Sequence, residues 1–145
     1  RHADVVLIDV GSVSADIVHR FWLGADDVAL VTTPDAVSVM DCYATVKTVL
    51  AGGAVPDVLR LIVNKVRDPA QGADVHRRID QSARRFLQRR ISLLGSVLAD
   101  PQVVRAADVP APLMLGVPGC PAAQAIAAIA GALAAAQINT VRAAA

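Results

Sequence analysis

Residues 59–66 have the sequence LRLIVNKV, in which a mostly apolar run, residues 59–63, is followed by Asn64 and Lys65. Such a run is typical of a strand that is buried on both faces of a parallel sheet. Similar runs occur at residues 5–8, 28–31 and 93–98, and a shorter one at 113–115 is expected to form an edge strand. The segment therefore predicts a buried strand followed at once by polar groups.

The segments between these runs have helical patterns with recognisable ends. Thr33 is predicted to be an N-cap, with Pro34 in the first helical position and Asp35 in the first turn. That helix is expected to end at the glycine pair 52–53, and Pro121 opens the last helix. Residues 73–87 carry apolar side chains at helical spacing, namely Val75, Ile79, Ala83, Phe86 and Leu87.

Strands that alternate with helices predict an α/β fold, a parallel sheet with helices on both faces. We expect one domain, residues 1–145, that is the carboxy-terminal part of a longer protein, with further strands preceding Arg1. In such folds ligands bind beyond the carboxyl ends of the strands. The residues directly after each strand are therefore the candidates for a binding site.

Composition narrows the class of protein. The chain is 54% hydrophobic and 19% charged, which argues against disorder, and its net charge of +1 does not indicate nucleic acid as a partner. The longest apolar run, residues 125–136, is shorter than the roughly 20 residues of a membrane span. The two cysteines and three histidines lack metal-ligand spacing. We expect a cytoplasmic protein with reduced thiols.

Two of the segments that follow strands carry groups suited to a nucleotide. Asp9 could hold a Mg²⁺-bound water, and Gly11 would let the backbone approach a γ-phosphate. Asn64 offers one donor and one acceptor to a base edge. Each has a plainer alternative, since Asp9 could cap the next helix and Asn64 could form a turn.

Four segments taken in order resemble the MinD/ParA superfamily of deviant-Walker P-loop ATPases. The resemblance is greatest to the FlhG (FleN) branch, which controls flagellar number and placement, and it extends over essentially the whole chain. The segments are residues 6–11 (VLIDVG), 31–35 (VTTPD), 63–66 (VNKV) and 94–103 (LGSVLADPQV).

The resemblance implies a role for each matching residue. Asp9 corresponds to the Walker B aspartate, which holds Mg²⁺ through water, and Gly11 to the switch II glycine. Asn64 corresponds to the asparagine that reads adenine, with Lys65 beside it. The loop that closes over the base is represented by residues 100–101, Asp100 and Pro101. The implied cofactors are ATP and Mg²⁺.

The chain departs from the family pattern in three places. The family usually has Gly-Ala-Gly or Pro-Ala-Gly after the aspartate, where this chain has Gly11, Ser12 and Val13, and Ala99 stands where an acid usually precedes Asp-Pro. No Gly-x-x-x-x-Gly-Lys-Ser/Thr segment occurs in these 145 residues. Without that loop the chain alone is not expected to hydrolyse ATP, and the phosphate grip should come from another segment or another chain.

Three functions remain open. The first is an ATP-dependent dimer switch that acts in flagellar or cell-pole placement, with partners such as an FlhF-like GTPase. The second is an inactive localisation adaptor of the TadZ/CpaE kind, and the third a stand-alone flavodoxin-like module. No nucleic acid is expected. Association with the inner membrane or pole is expected through a partner or another segment, because the tail, residues 134–145, has one arginine and few bulky apolar side chains.

The helix with six arginines between residues 77 and 90 is open to two interpretations. The plain one is a solvated helix face. The functional one is an electrostatic patch for an acidic partner or an anionic membrane.

Overall fold

The computed structural model describes residues 3, 5–11, 14–53, 58–108 and 111–143. Its strands are β1 (Asp27–Thr32), β2 (Val58–Val66) and β3 (Ser92–Leu98). Its helices are α1 (Ala15–Leu23), α2 (Ala36–Ala51), α3 (Pro69–Leu87), α4 (Pro101–Ala107), α5 (Leu113–Gly116) and α6 (Pro121–Ala143).

The three strands form a parallel sheet in the order β1-β2-β3. Leu61 in β2 pairs with Leu30 on one side and with Leu93 on the other. Because strand and helix alternate along the chain, each pair of neighbouring strands is joined by a helix that packs back on the sheet. The predicted strands at 28–31, 59–63 and 93–98 are confirmed.

Helices cover both faces of the sheet, as predicted. Successive side chains of a strand point to opposite faces, and β2 shows this directly. Leu61 and Val63 are fully buried in a first core with α1, α2 and α3, whereas Ile62 packs against a second core between β3 and α6. The α/β class with helices on both faces is confirmed.

Close approach of helices to β3 depends on two glycines. A Cβ on Gly95 would lie 2.5 Å from Cγ1 of Ile129 in α6. A Cβ on Gly72, in the first turn of α3, would lie 2.9 Å from the Cβ of Ser96. Gly95 and Gly72 thus let α6 and α3 pack closely against β3.

Three expectations were wrong. Residues 5–8 are not a strand, and Leu7 is 88% exposed, because the run pairs with no other strand among the described residues. Residues 113–115 begin the one-turn helix α5 instead of an edge strand. Phe86 is 65% exposed, since Leu87 continues the i, i+4 row of Ile79 and Ala83 toward the core and Phe86 lies off it.

Two helix starts also differ from prediction. Asp35, not Thr33, caps α2, where its carboxylate accepts a hydrogen bond from the Ser38 N–H at 2.9 Å. Helix α3 begins at Pro69 because Asp68 caps it. The predicted start of α6 at Pro121 is confirmed.

None of the helices in the part of the chain that the structure describes is long and apolar enough to cross a membrane.

Candidate functional site

The carboxyl ends of β2 and β3 lie side by side. The Ala99 N–H donates to the Val66 carbonyl oxygen at 2.8 Å, directly beyond the last strand pair between Val66 and Leu98. This contact brings the segment with Asn64 and Lys65 to the same edge of the sheet as Asp100 and Pro101. We call this edge, residues 64–68 and 99–102, the carboxyl edge.

Asn64 and Lys65 form a bulge in β2. Val63 pairs with Ser96 and Val66 with Leu98, so three steps along β2 face two along β3. Lys65 takes up the extra residue with a φ of 55°, in the left-handed region that a residue with a Cβ rarely adopts. Non-glycine residues held in this region occur preferentially at functional sites.

The bulge also orients the Asn64 side chain. Its Oδ1 accepts a hydrogen bond from the Lys65 N–H at 2.9 Å. Among the residues that the structure describes, its amide nitrogen has no hydrogen-bond partner, and the side chain is half-buried. Asn64 therefore presents two free N–H donors and one remaining oxygen lone pair at the carboxyl edge.

Asp100 links two helices. Its Oδ1 accepts from the Gln102 N–H at 2.9 Å and caps α4, and its Oδ2 accepts from the Ala122 N–H of α6 at 3.3 Å. These hydrogen bonds, that of Gln102 first, lower the pKa of Asp100, and the Cys120 thiol adds to the effect. Asp100 is therefore ionised at neutral pH and fixes the loop after β3.

Asp9 and Gly11 form a separate turn before α1. Asp9 is exposed, and its Oδ1 accepts from the Gly11 N–H at 3.0 Å. Gly11 has a φ of 63°, which suits a residue without a Cβ. Among the described residues the hydrogen bonding of Asp9 stays within this turn, while Val10 packs against the first core. The structure does not bring Asp9 into contact with Asn64 or Asp100.

A cleft of about 290 Å³ opens next to the carboxyl edge, between the end of β1 and the start of α3. Pro34, Arg67, Asp68 and Arg78 are among its lining residues. Asp68 accepts the Gln71 N–H at 2.7 Å, and the Gln71 side chain in turn accepts the Arg67 N–H at 2.9 Å. The pKa of Asp68 is lowered, mainly by the Gln71 hydrogen bond.

Sequence reasoning missed this cleft although a signal was present. Asp68 and Pro69 repeat the Asp-Pro pair at residues 100–101, and both aspartates cap the helix that follows. The shared pair would have placed the start of α3 at Pro69, directly after its cap Asp68.

No group of three or more His, Cys, Asp or Glu side chains that could hold a metal ion occurs in residues 3, 5–11, 14–53, 58–108 and 111–143.

Two comparisons connect this geometry with known proteins. The chain is 31% identical over 81 residues to the flagellum site-determining protein YlxH of Helicobacter pylori, an alignment that covers 56% of this chain and 26% of that protein. Its structure is similar to that of the MinD cell division protein of Aquifex aeolicus, with a TM-score of 0.57 and 21% identity over 78% of this chain. The resemblance to the MinD/ParA superfamily is confirmed.

The sequence likeness is thus to a flagellum site-determining protein, and the likeness in three dimensions is to the MinD fold. The chain spans about a quarter of the H. pylori protein and 45% of the A. aeolicus MinD chain. No protein-family profile matches it.

The polar groups at the carboxyl edge have the hydrogen-bonding capacity to pair with the edge of a base. The free amide donors of Asn64 suit a base edge, and the Asp100 loop beside them is rigidly held. This sequence contains no glycine-rich loop with a lysine that could bind the phosphate end of a nucleotide.

Proposed function

We propose that the chain is the carboxy-terminal part of a MinD/FlhG-like positioning protein that binds ATP with Mg²⁺. The observation that carries this is Asn64, which a strained bulge holds at the carboxyl edge with its amide donors free. A residue kept in this way is pre-organised to pair with a base.

In this proposal, different residues of the carboxyl edge make different contacts with the base. Asn64 pairs with the adenine edge and Lys65 lies beside it. Asp100 and Pro101 form the wall over the base, since Asp100 fixes their backbone through α4 and α6. Asp9 would act on a Mg²⁺-bound water and Gly11 near the terminal phosphate, once another segment of the longer protein contributes the phosphate-binding loop.

The biological task that we propose is placement of a structure in the cell. The H. pylori relative is named for determining the flagellum site. ATP with Mg²⁺ supplies the phosphoryl chemistry of the switch, a homodimer forms in the ATP state, and polar partners such as an FlhF-like GTPase recognise that dimer. Association with the membrane or pole follows from these contacts.

A second candidate is an adaptor of the TadZ/CpaE kind that binds partners without ATP turnover. The observation in its favour is that Asp9 uses its carboxylate within its own turn, followed by the unusual Ser12 and Val13. An adaptor would keep its cellular position when Asp9 is removed.

Nucleotide preference of the full-length protein tests the first proposal. Asn64→Ala should weaken ATP binding and its preference over GTP by about 1–3 kcal/mol, as expected for a buried polar contact left unmade. Gln102→Ala is the control, because Gln102 is exposed at the same edge and its side chain makes no hydrogen bond to a described residue. An unchanged ATP preference in Asn64→Ala would remove the base assignment.

Turnover separates the two candidates. Asp9→Ala should abolish ATP hydrolysis by the full-length protein while Asp16→Ala, a change at an exposed acid in the first turn of α1, leaves it intact. Wild-type protein that binds no ATP but still localises would favour the adaptor.

A further inference from the structure

Helix α3 ends in a turn that gathers basic side chains. Gln88 adopts the left-handed conformation, with φ 54° and ψ 34°, and its N–H donates to the Ala83 oxygen. The Arg89 N–H reaches the same oxygen at 3.3 Å. This turn returns the chain beside the last turn of α3. We call the exposed group formed by Arg85, Phe86, Arg89 and Arg90 the basic end.

The positive charge of the basic end is uncompensated by the described residues. The sequence has no acid between Asp80 and Asp100. Arg84 pairs with Asp80, but Arg85, Arg89 and Arg90 form no ion pair with any residue that the structure describes. Three guanidinium groups therefore face solvent together.

Phe86 adds an apolar group among these charges. It is 65% exposed, and Cζ of Arg85 lies 5.2 Å from the centre of its ring. The ring contributes nothing to either core. An exposed aromatic ring within a basic cluster is the composition of surfaces that bind at the headgroup level of a membrane.

The basic end lies far from the carboxyl edge. Helix α3 starts directly after β2 and ends directly before β3, so in a parallel sheet its last turn lies at the amino ends of the strands. A ligand at Asn64 and a surface at Arg89 can therefore be engaged at the same time.

We propose that the basic end docks onto an anionic membrane surface. The arginines bind lipid phosphates, and the Phe86 ring enters the interface between them. A membrane fits better than an acidic protein because its interface offers anionic phosphates to the arginines and an apolar layer to the exposed Phe86 ring in the same place. The inference does not depend on the proposed ATP site.

Vesicle binding by the full-length protein tests the proposal. Co-sedimentation is measured with vesicles of equal parts phosphatidylcholine and phosphatidylglycerol and with phosphatidylcholine alone. Binding should require the anionic lipid and should fall as salt is added. Because each arginine near such a surface is worth about fivefold in affinity, the triple variant Arg85→Gln/Arg89→Gln/Arg90→Gln should bind about a hundredfold more weakly.

The matched control removes three charges elsewhere. Arg20, Lys47 and Arg105 are exposed and have no salt bridge within the described residues, so changing them all to Gln gives the same net charge. This control should bind anionic vesicles nearly as well as wild type. Phe86→Ala should also weaken binding while it leaves the melting temperature unchanged.

Three results would overturn the proposal. One is wild-type protein that does not bind the anionic vesicles. Another is an equal loss of binding in the two triple variants, which would indicate net charge alone. The third is binding to polyglutamate with none to vesicles, which would assign the basic end to an acidic protein. None of these results would alter the ATP preference measured with Asn64→Ala.

Discussion

The carboxylate of Asp80 accepts a hydrogen bond from the backbone N–H of Ile91 at 2.9 Å. Asp80 lies on α3, Ile91 lies just before β3, and both are buried. One turn earlier on α3, His76 donates from Nε2 to the Ile91 carbonyl oxygen at 2.7 Å. Two side chains of one helix thus satisfy both backbone polar groups of Ile91 and fix where β3 begins.

Removal of Asp80 should destabilise the fold strongly. Asp80→Ala leaves the buried Ile91 N–H and the Arg84 guanidinium without their acceptor, so the free energy of unfolding should fall by about 1.5–3 kcal/mol. Urea denaturation measures this. Asp74→Ala is the control, because the exposed pair of Asp74 with Arg77 should contribute less than about 1 kcal/mol. Equal losses in the two variants would contradict the structural role of Asp80.

The chain should lose stability in acid because of its capping carboxylates. The Thr33 hydroxyl, followed by the Ser38 N–H, lowers the pKa of Asp35 from 3.8 to about 2. The pKa values of Asp68 and Asp100 are lowered as well.

A carboxylate whose pKa is lower in the folded than in the unfolded state stabilises the fold at pH values above its unfolded-state pKa. This contribution is lost as the pH falls through the folded-state pKa. The urea midpoint should therefore decrease between about pH 4 and pH 2. Asp35→Ser keeps a capping oxygen that does not titrate, so its midpoint should depend less on pH in this range. The same pH dependence in Asp35→Ser and wild type would contradict the assignment.

Gly95→Ala should destabilise the second core. The new methyl group would overlap the Ile129 side chain, and overpacking of this kind costs about 1–3 kcal/mol. Thermal unfolding measures the loss. Gly131→Ala is the control, since a Cβ there meets nothing within 4 Å and alanine favours the helix. The double variant Gly95→Ala/Ile129→Ala should lose less than the sum of its single changes, because the clash is absent.

Lys65→Gly should stabilise the fold, because glycine adopts the left-handed region without a steric penalty. The gain should be about 1 kcal/mol in the free energy of unfolding. Gln88→Gly, the other left-handed non-glycine position among the described residues, should gain a similar amount. Lys65→Ala keeps a Cβ and should gain nothing, so a gain there would indicate that the backbone strain is not the cause.

The apolar runs of the sequence predicted the three strands of the sheet correctly. The prediction was wrong for runs that have no neighbouring strand to pair with among the described residues. Apolar runs form β1, β2 and β3, and the central strand β2 has a core on each face, whereas Val31 of the edge strand β1 is 62% exposed. Residues 5–8 have the same composition, but a strand exists only through its neighbour, and no local pattern reveals whether the neighbour is present. The predicted edge strand at residues 113–115 was wrong for the same reason.

The candidate site was predictable only in part. Parallel strands must place residues 64 and 100 at one edge, and the sequence order was enough to say so. The bulge at Lys65 and the hydrogen bond from Ala122 to Asp100 depend on register and on a contact between residues 22 positions apart. Neither leaves a periodic signal in the sequence.

The extra residue in β2 divides that strand into two portions with different freedom to vary. Between Leu59 and Val63 the apolar side chains pack into one core or the other, so mutations of these residues should destabilise the fold. Beyond Val63, Asn64 and Lys65 have no partner in the ladder with β3, so exchanges at these two positions should leave the sheet intact, and under the proposed function they would change which base the carboxyl edge binds. Redesign of the proposed base preference would therefore begin at this pair.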